Sequence, residues 1–306
     1  MWDEIRTQAK QDLKSSQTLF DSYDYGNSAY LLQQGVEKYV KSFILRYNLF
    51  VKEPHKFQHL PIIKMWEIII QELESRYKHF KKDVKEFAKQ LIVLLKHMLE
   101  FFIKIRDREH KDFRWKQSIW KYSMSLPLNK SETDLMKNLK NDLEDELVPM
   151  ISDAYDIFSK AKDRLLSVMS ANTQQKRMLE TLLEKVMSTT IEFEMSRKKP
   201  TTDINKIVEQ MPEWFEQLEK LIKEILVLTD KKERILDSYF MRVLLLGWLF
   251  STHEEMILTF PHEEIGRYPN MITDSRKIYE KNSTNLQKFI NRITEKCEKI
   301  DCMLNL

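Results

Sequence analysis

Ala29-Tyr30-Leu31-Leu32-Gln33-Gln34-Gly35-Val36-Glu37-Lys38-Tyr39-Val40-Lys41 reads as one helix with two unlike faces. Gln33, Glu37 and Lys41 stand four apart and share a polar face, whereas Val36, Tyr39, Val40 and Phe43 continue an apolar side begun by Ala29 and Leu32. Gly35 costs about 1 kcal/mol of helix propensity, a loss offset where a neighbouring helix needs to approach closely. Upstream, Asp24-Tyr25-Gly26-Asn27 is a turn signal, preceded by a helix from Trp2 to about Phe20 with Ile5, Ala9, Leu13 and Leu19 near helical spacing. Asp3 is its expected N-cap. Downstream, Pro54 and Pro61 interrupt the chain before an apolar stretch from Ile62 to about Tyr77. Phe87, Leu91, Leu94, Leu95, Met98, Phe101 and Phe102 then mark a further amphipathic helix.

The whole chain has 306 residues, with 50 Lys+Arg against 47 Asp+Glu and a net charge of +3. At 42% hydrophobic it holds enough apolar mass for a core, which excludes a disordered chain. Its 4 glycines are too few for the turns of a many-stranded sandwich or barrel, and neither GxGxxG nor GxxxxGK[ST] occurs. Two cysteines, Cys297 and Cys302, exclude a disulfide framework and a Cys-rich zinc site. Met1 to Arg6 lacks the apolar run of a signal peptide. The longest apolar run, Val243 to Phe250, is far short of the roughly 20 residues that span a bilayer. The expectation is an all-α, cytoplasmic protein without membrane contact.

The middle of the chain is regular. Leu135, Leu139, Leu143 and Leu147 recur every four residues, up to Pro149. Ile204, Val208, Met211, Phe215, Leu218, Ile222 and Ile225 alternate steps of four and three, the 3.5-residue period of a coiled-coil-like seam, with a kink or helix start at Pro212. Leu179, Leu183, Val186, Thr190 and Phe193 repeat that spacing, and Pro200 with its polar neighbours is the intervening loop. Residues 130–229 thus read as a long helical hairpin or three-helix bundle, suited to rigid spacing or partner contact. Ile235 to Leu249 must be a buried helix. Pro261, Gly266 and Pro269 then break the chain before a final amphipathic helix from about Thr273.

Two separated stretches together resemble the HEPN domain family. Residues 29–41, followed by His55, are similar to its second helix, where an apolar run leads into Gln-Gln-Ala-x-Glu-Lys-x-x-Lys and a His follows near the next helix; His59 is the alternative for that His. Gly266-Arg267-Tyr268-Pro269-Asn270 resembles the Thr-Arg-Tyr-Pro-Asp turn before the last helix, with Gly and Asn replacing the outer residues. The resemblance implies an up-down helical bundle built discontinuously from 1–77 and 231–306. Residues 78–230 then form a helical insertion, tolerated at a loop tip at little thermodynamic cost. It also implies a toxin–antitoxin or antiviral setting, a homodimer and, by analogy with some relatives, a nucleotidyltransferase-type partner.

Many HEPN proteins resemble metal-independent RNases in which Arg-x(4–6)-His activates a ribose hydroxyl and stabilises the phosphate. None of His55, His59, His79, His97, His110, His253 and His262 has an Arg five to seven positions before it. Arg106 and His110, at i,i+4 on one face of an unbroken helix, come nearest and are the candidate catalytic pair, although Asp107 and Glu109 weaken the local positive field. His253 and His262 are too far apart for a shared helical face, so no metal and no cofactor is expected.

The strongest charge signal is Arg76 to Lys121, where 14 Lys+Arg face 6 Asp+Glu, a net of +8 in 46 residues. Interleaved aromatics fit phosphate neutralisation with base stacking. The expected nucleotide- or RNA-binding residues are Glu37, Lys41, His55, Arg108, Lys111, Arg114, Trp115, Lys116 and Arg267. For Glu37 and Lys41 an ordinary surface ion pair competes with a place in a polar groove. Arg267 meets either Glu37 or a phosphate, beside an architectural role for its turn. The leading expectation is a non-catalytic binder of nucleotide or RNA, with a divergent endoribonuclease and a helical scaffold for a partner protein as alternatives.

Overall fold

The computed structural model describes residues 1–57, 60–80, 82–106, 113–138, 216–224, 239–250 and 275–305, together with 141, 142, 145, 174, 177, 178, 180, 181, 183–185, 188, 258, 259, 261 and 262. Every regular element among them is helical. The helices are α1 (Trp2–Asp21), α2 (Tyr25–Arg46), α3 (Pro54–Phe57), α4 (Ile62–Tyr77), α5 (Lys82–Arg106), α6 (Phe113–Ser123), α7 (Tyr239–Phe250), α8 (Ser275–Lys281) and α9 (Ser283–Leu304). Residues 130–138 and 216–224 are also helical.

Contacts divide the chain into two compact units, Met1–Glu67 with Met98–Leu139 and Thr252–Asn305 in the first, Ile68–His97 with Lys140–Ser251 in the second. In the first unit α1 and α2 run antiparallel, because their cross-links descend in order. Ser16 Oγ donates to the Ser28 carbonyl at 2.8 Å, Lys38 Nζ reaches Asp12 at 2.6 Å, and Ser42 Oγ donates to the Trp2 carbonyl at 2.9 Å. Gly35 faces this crossing, and a Cβ there would lie 2.7 Å from Leu13 Cδ2 and 3.4 Å from the Ala9 carbonyl oxygen. The close approach expected of this glycine is thus the seat of α1 on α2.

α9 lies against α2 and α1, antiparallel to α1, with Gln287 opposite Gln17 and Asp301 opposite Arg6. Its apolar face, Leu286, Phe289, Ile290, Ile293, Cys297, Ile300 and Met303, is buried. Tyr47 Oη donates to the Met303 carbonyl at 2.5 Å, and burial pushes its pKa up to about 12.

Three helices end the same way without a glycine. After α1, α2 and α6 the chain turns through Tyr23 (φ 63°), Asn48 (φ 48°) and Ser125 (φ 51°). Each turn is closed by a bond from the next residue back across the helix end: Asp24 N to Leu19 O at 2.8 Å, Leu49 N to Ile44 O at 3.0 Å, Leu126 N to Lys121 O at 2.8 Å. This is the Schellman arrangement, which usually recruits glycine at the left-handed position. It accounts for sharp turns in so glycine-poor a chain.

Residues 130–138 open on a capping box: Asn129 Oδ1 accepts from the Glu132 N–H at 3.0 Å while Glu132 Oε2 accepts from the Asn129 N–H at 2.8 Å.

In the second unit, the C-terminal part of α4 and the N-terminal part of α5 are tied by Lys96 to Glu74 at 2.6 Å. Gly247 of α7 lies against Phe87 of α5, where an added Cβ would sit 3.4 Å from Cζ. Leu244, Leu245 and Leu246 of α7 are fully buried, as a nearly all-apolar helix requires.

Several expectations need correction. α1 begins at Trp2 with Met1 as its cap, so Asp3 sits in the first turn and pairs with Arg6. The turn between α1 and α2 is Ser22 to Asp24, and Tyr25, Gly26 and Asn27 already belong to α2, where Asn27 Nδ2 donates to Asp24 at 2.8 Å. The closing segment is two helices, broken at Asn282. The Pro200 loop, most of the 3.5-residue seam and Gly266 to Asn270 lie outside the described residues, although Leu183, Leu218 and Ile222 of the periodic series are buried.

Candidate functional site

The polar face of α2 is a connected row. Gln34 Nε2 donates to Gln33 Oε1 at 2.6 Å, Gln33 Nε2 donates to Glu37 Oε2 at 3.2 Å, and Lys41 Nζ holds Glu37 Oε1 at 2.7 Å. Both carboxylate oxygens of Glu37 are therefore engaged. The Lys41 and Glu37 side chains are only 10% and 16% exposed, and Gln33 is buried. This is no ordinary surface ion pair. Taking both charges out of water costs several kcal/mol, which the short contact and the amide donor offset. The row aligns a lysine, a carboxylate and two amides along one helix, a set able to orient polar groups of a ligand.

His55 stands on the four-residue helix α3 and is exposed, beside Lys56, which pairs with Glu53. Arg106 is the last residue of α5, and its side chain lies outside the described residues together with Arg108, His110, Lys111 and Arg267. Arg114, Trp115 and Lys116 fall in the first half of α6, whose backbone is helical. Of the expected site residues, then, Glu37 and Lys41 are brought together, and His55 is not part of their row.

Two polar clusters had no counterpart in the sequence reading. The first joins α1 to α9. Arg6 Nε and Nη2 donate to the two carboxylate oxygens of Asp301 at 2.6 and 3.1 Å, Nη2 also donates to Asn305 Oδ1 at 2.5 Å, and Lys10 Nζ reaches Asp301 at 3.0 Å. Burial raises the Asp301 pKa, but hydrogen bonds from Arg6 and Lys10 outweigh it and leave the carboxyl below its usual range.

The second lies in the core. His262 is fully buried, stacked on Phe289 with ring centroids 4.9 Å apart. Its Nε2 is 2.8 Å from Ser123 Oγ and its Nδ1 2.8 Å from Tyr279 Oη. Trp120 Nε1 donates to Tyr279 Oη at 3.1 Å, and Ser123 Oγ donates to the Trp120 carbonyl at 2.8 Å. One assignment of protons satisfies every group. The Ser123 hydroxyl proton is spent on the carbonyl, so Nε2 carries hydrogen and donates to Oγ. Nδ1 must then accept, and Tyr279 donates to it. The circuit starts and ends on Trp120, and every group in it gives one hydrogen bond and takes one. Burial lowers the His262 pKa to about 3 and pushes that of Tyr279 up. His262 is a neutral core histidine. Tyr279 was detectable as the start of the stripe continued by Leu286, Ile290 and Ile293, whereas His262, in a broken segment, has no periodic neighbours.

Among the described residues, no three His, Cys, Asp or Glu side chains stand together as a metal site, and no helix is long and apolar enough to cross a membrane.

The HEPN domain family matches residues 2–107, which are α1 to α5 with their connections. An N-terminal HEPN domain is present. Further helices follow it, so the chain is an all-α protein with a HEPN domain and additional helices. Comparison with curated proteins and with solved structures finds no match. The α2 polar row lies inside the HEPN domain, as does Arg106. The His262 circuit lies beyond its C-terminal limit.

Proposed function

We propose that this chain is a HEPN protein that binds a nucleotide or RNA, using the α2 polar row and the basic segment 76–121. Membership in the HEPN family, broadly associated with RNA-related or toxic activity, supports the reading. The observation that carries it is the net charge of +8 between Arg76 and Lys121, most of which falls within the matched domain. Lysine and arginine in such density release counterions on meeting phosphates, and Trp115, between Arg114 and Lys116 in sequence, is a residue type on which bases stack. The reading includes a HEPN-like bundle completed by α8 and α9 across a 78–230 insertion; the packing of both helices on α2 supports that part. A homodimer, a nucleotidyltransferase-type partner and a toxin–antitoxin or antiviral setting belong to the same proposal.

Filter binding with single-stranded RNA and with nucleotides, repeated across salt, tests it. Binding that weakens steeply as salt rises is expected. No salt-sensitive binding at micromolar protein refutes it. The i,i+4 spacing of Arg106 and His110 favours one second reading, a metal-independent endoribonuclease, which requires RNA cleavage in EDTA that is lost in His110→Ala.

A further inference from the structure

We propose that the circuit of Trp120, Tyr279, His262 and Ser123 is an acid-operated latch that holds α6 onto the closing helices. The circuit spans three parts of the chain: α6 supplies Trp120 and Ser123, α8 supplies Tyr279, and His262 stands between them in sequence. Phe289 of α9 covers one face of the imidazole, and the indole of Trp120 meets the Tyr279 ring edge-on at 5.9 Å.

A closed circuit of this kind has no place for a second proton. An imidazolium donates from both nitrogens, so Nδ1–H would point at a Tyr279 oxygen that already accepts from Trp120. The Tyr279 hydroxyl would then have to turn its own proton away, and no second acceptor is described within its reach. Of the three side chains in contact with the ring, Ser123, Tyr279 and Phe289, Tyr279 is the one that titrates, and burial keeps it neutral. Arg292, exposed, is set over the far partner of that stack, Phe289, at 5.5 Å. A second positive charge inside would gain nothing from it. The docked state therefore excludes the proton, and the open state, in which His262 titrates at an ordinary value of about 6.5, accepts it. Acid shifts the equilibrium toward opening, and α6, which also bears Arg114, Trp115 and Lys116, is released.

The sign follows from linkage. His262 binds its proton in the open form only, so docking is undiminished above the open-state pKa and weakens as pH falls below it. Between pH 7 and pH 5 the opening constant rises by about 25-fold, the ratio of the factors 1 + 10^(pKa − pH) at the two pH values for a group titrating at about 6.5 in the open state alone. The test is the full-length chain followed by hydrogen exchange at the Trp120 indole N–H, assigned through Trp120→Phe. A rise of that size in the opening constant, read as the observed rate divided by the intrinsic indole rate at each pH, is expected in the wild type and its absence in His262→Phe, which keeps the ring stacked on Phe289. An equal rise in both proteins overturns the proposal. Should His262→Phe not fold, nitrogen NMR of the wild-type imidazole decides instead. A neutral ring protonated at Nε2 down to pH 5 in the docked form is expected; an imidazolium formed in that form, with the Trp120 bond intact, overturns it.

Discussion

Replacing Gly35 by alanine sets two effects against each other at one atom. Alanine in a helix interior gains about 1 kcal/mol over glycine. The new Cβ, however, arrives 2.7 Å from Leu13 Cδ2 and 3.0 Å from Leu13 Cγ. Ordinary contact begins near 3.4 Å, so Leu13 must retreat by more than half an ångström. Rotating its terminal methyl relieves the first contact and leaves the second. Moving α1 as a body is opposed by the Ser16–Ser28, Lys38–Asp12 and Ser42–Trp2 bonds along the same seam. Overpacking of this kind costs about 1–3 kcal/mol, so Gly35→Ala is expected to destabilise by about 1 kcal/mol net. Removing the obstacle reverses the sign. In a Leu13→Ala background the cavity admits the methyl, and Gly35→Ala is expected to stabilise by up to about 1 kcal/mol. Urea denaturation of the four proteins gives the coupling directly. If Gly35→Ala stabilises the wild type, or the two substitutions are additive, the close approach of α1 to α2 is not what selects glycine.

Arg6→Ala leaves Asp301, 18% exposed, with Lys10 as its remaining cation, and a loss of about 2 kcal/mol is expected in denaturant titration. Because the folded-state pKa of Asp301 is depressed, its contribution is complete above the ordinary carboxylate range and disappears as pH falls through the depressed value. The acid limb of the stability profile should consequently be shallower in Arg6→Ala, and the difference between the two proteins should shrink as pH falls. Tyr23→Gly relieves a left-handed residue that is 75% exposed, and a gain of about 0.5–1 kcal/mol in thermal or urea unfolding is expected; a loss would mean that the edge contact with Tyr25 outweighs the strain. Lys41→Gln removes the cation of the α2 row and should weaken salt-sensitive nucleotide or RNA binding several-fold while far-ultraviolet dichroism stays unchanged.

Much of this arrangement was legible because the helices advertise themselves. Val36, Tyr39, Val40 and Phe43 recur at a spacing that only a helix can bury together, and Leu286, Phe289, Ile293, Cys297 and Ile300 do the same for α9. Gly35 was readable for the same reason, a costly residue amid a strong pattern. Boundaries were harder, since Tyr23 and Asn48 do at helix ends what the eye seeks from glycine. Least visible were the partnerships of polar residues distant in sequence. Neither Arg6 nor Asp301 carries a local sign of its mate, and His262 looks like any histidine in a broken segment until the fold delivers Ser123 and Tyr279 to its two nitrogens. The α2 row sat between these extremes: its alignment followed from the four-residue spacing, whereas its burial depends on tertiary packing.

The clasp between Arg6 and Asp301 joins residues 295 positions apart. During synthesis at about 5–20 residues per second, Arg6 waits about 15–60 s for the carboxylate that holds it. Throughout that interval α1 and α2 lack the apolar face of α9 that packs against them in the folded chain. A general chaperone would be expected to cover the waiting side chains until α9 emerges.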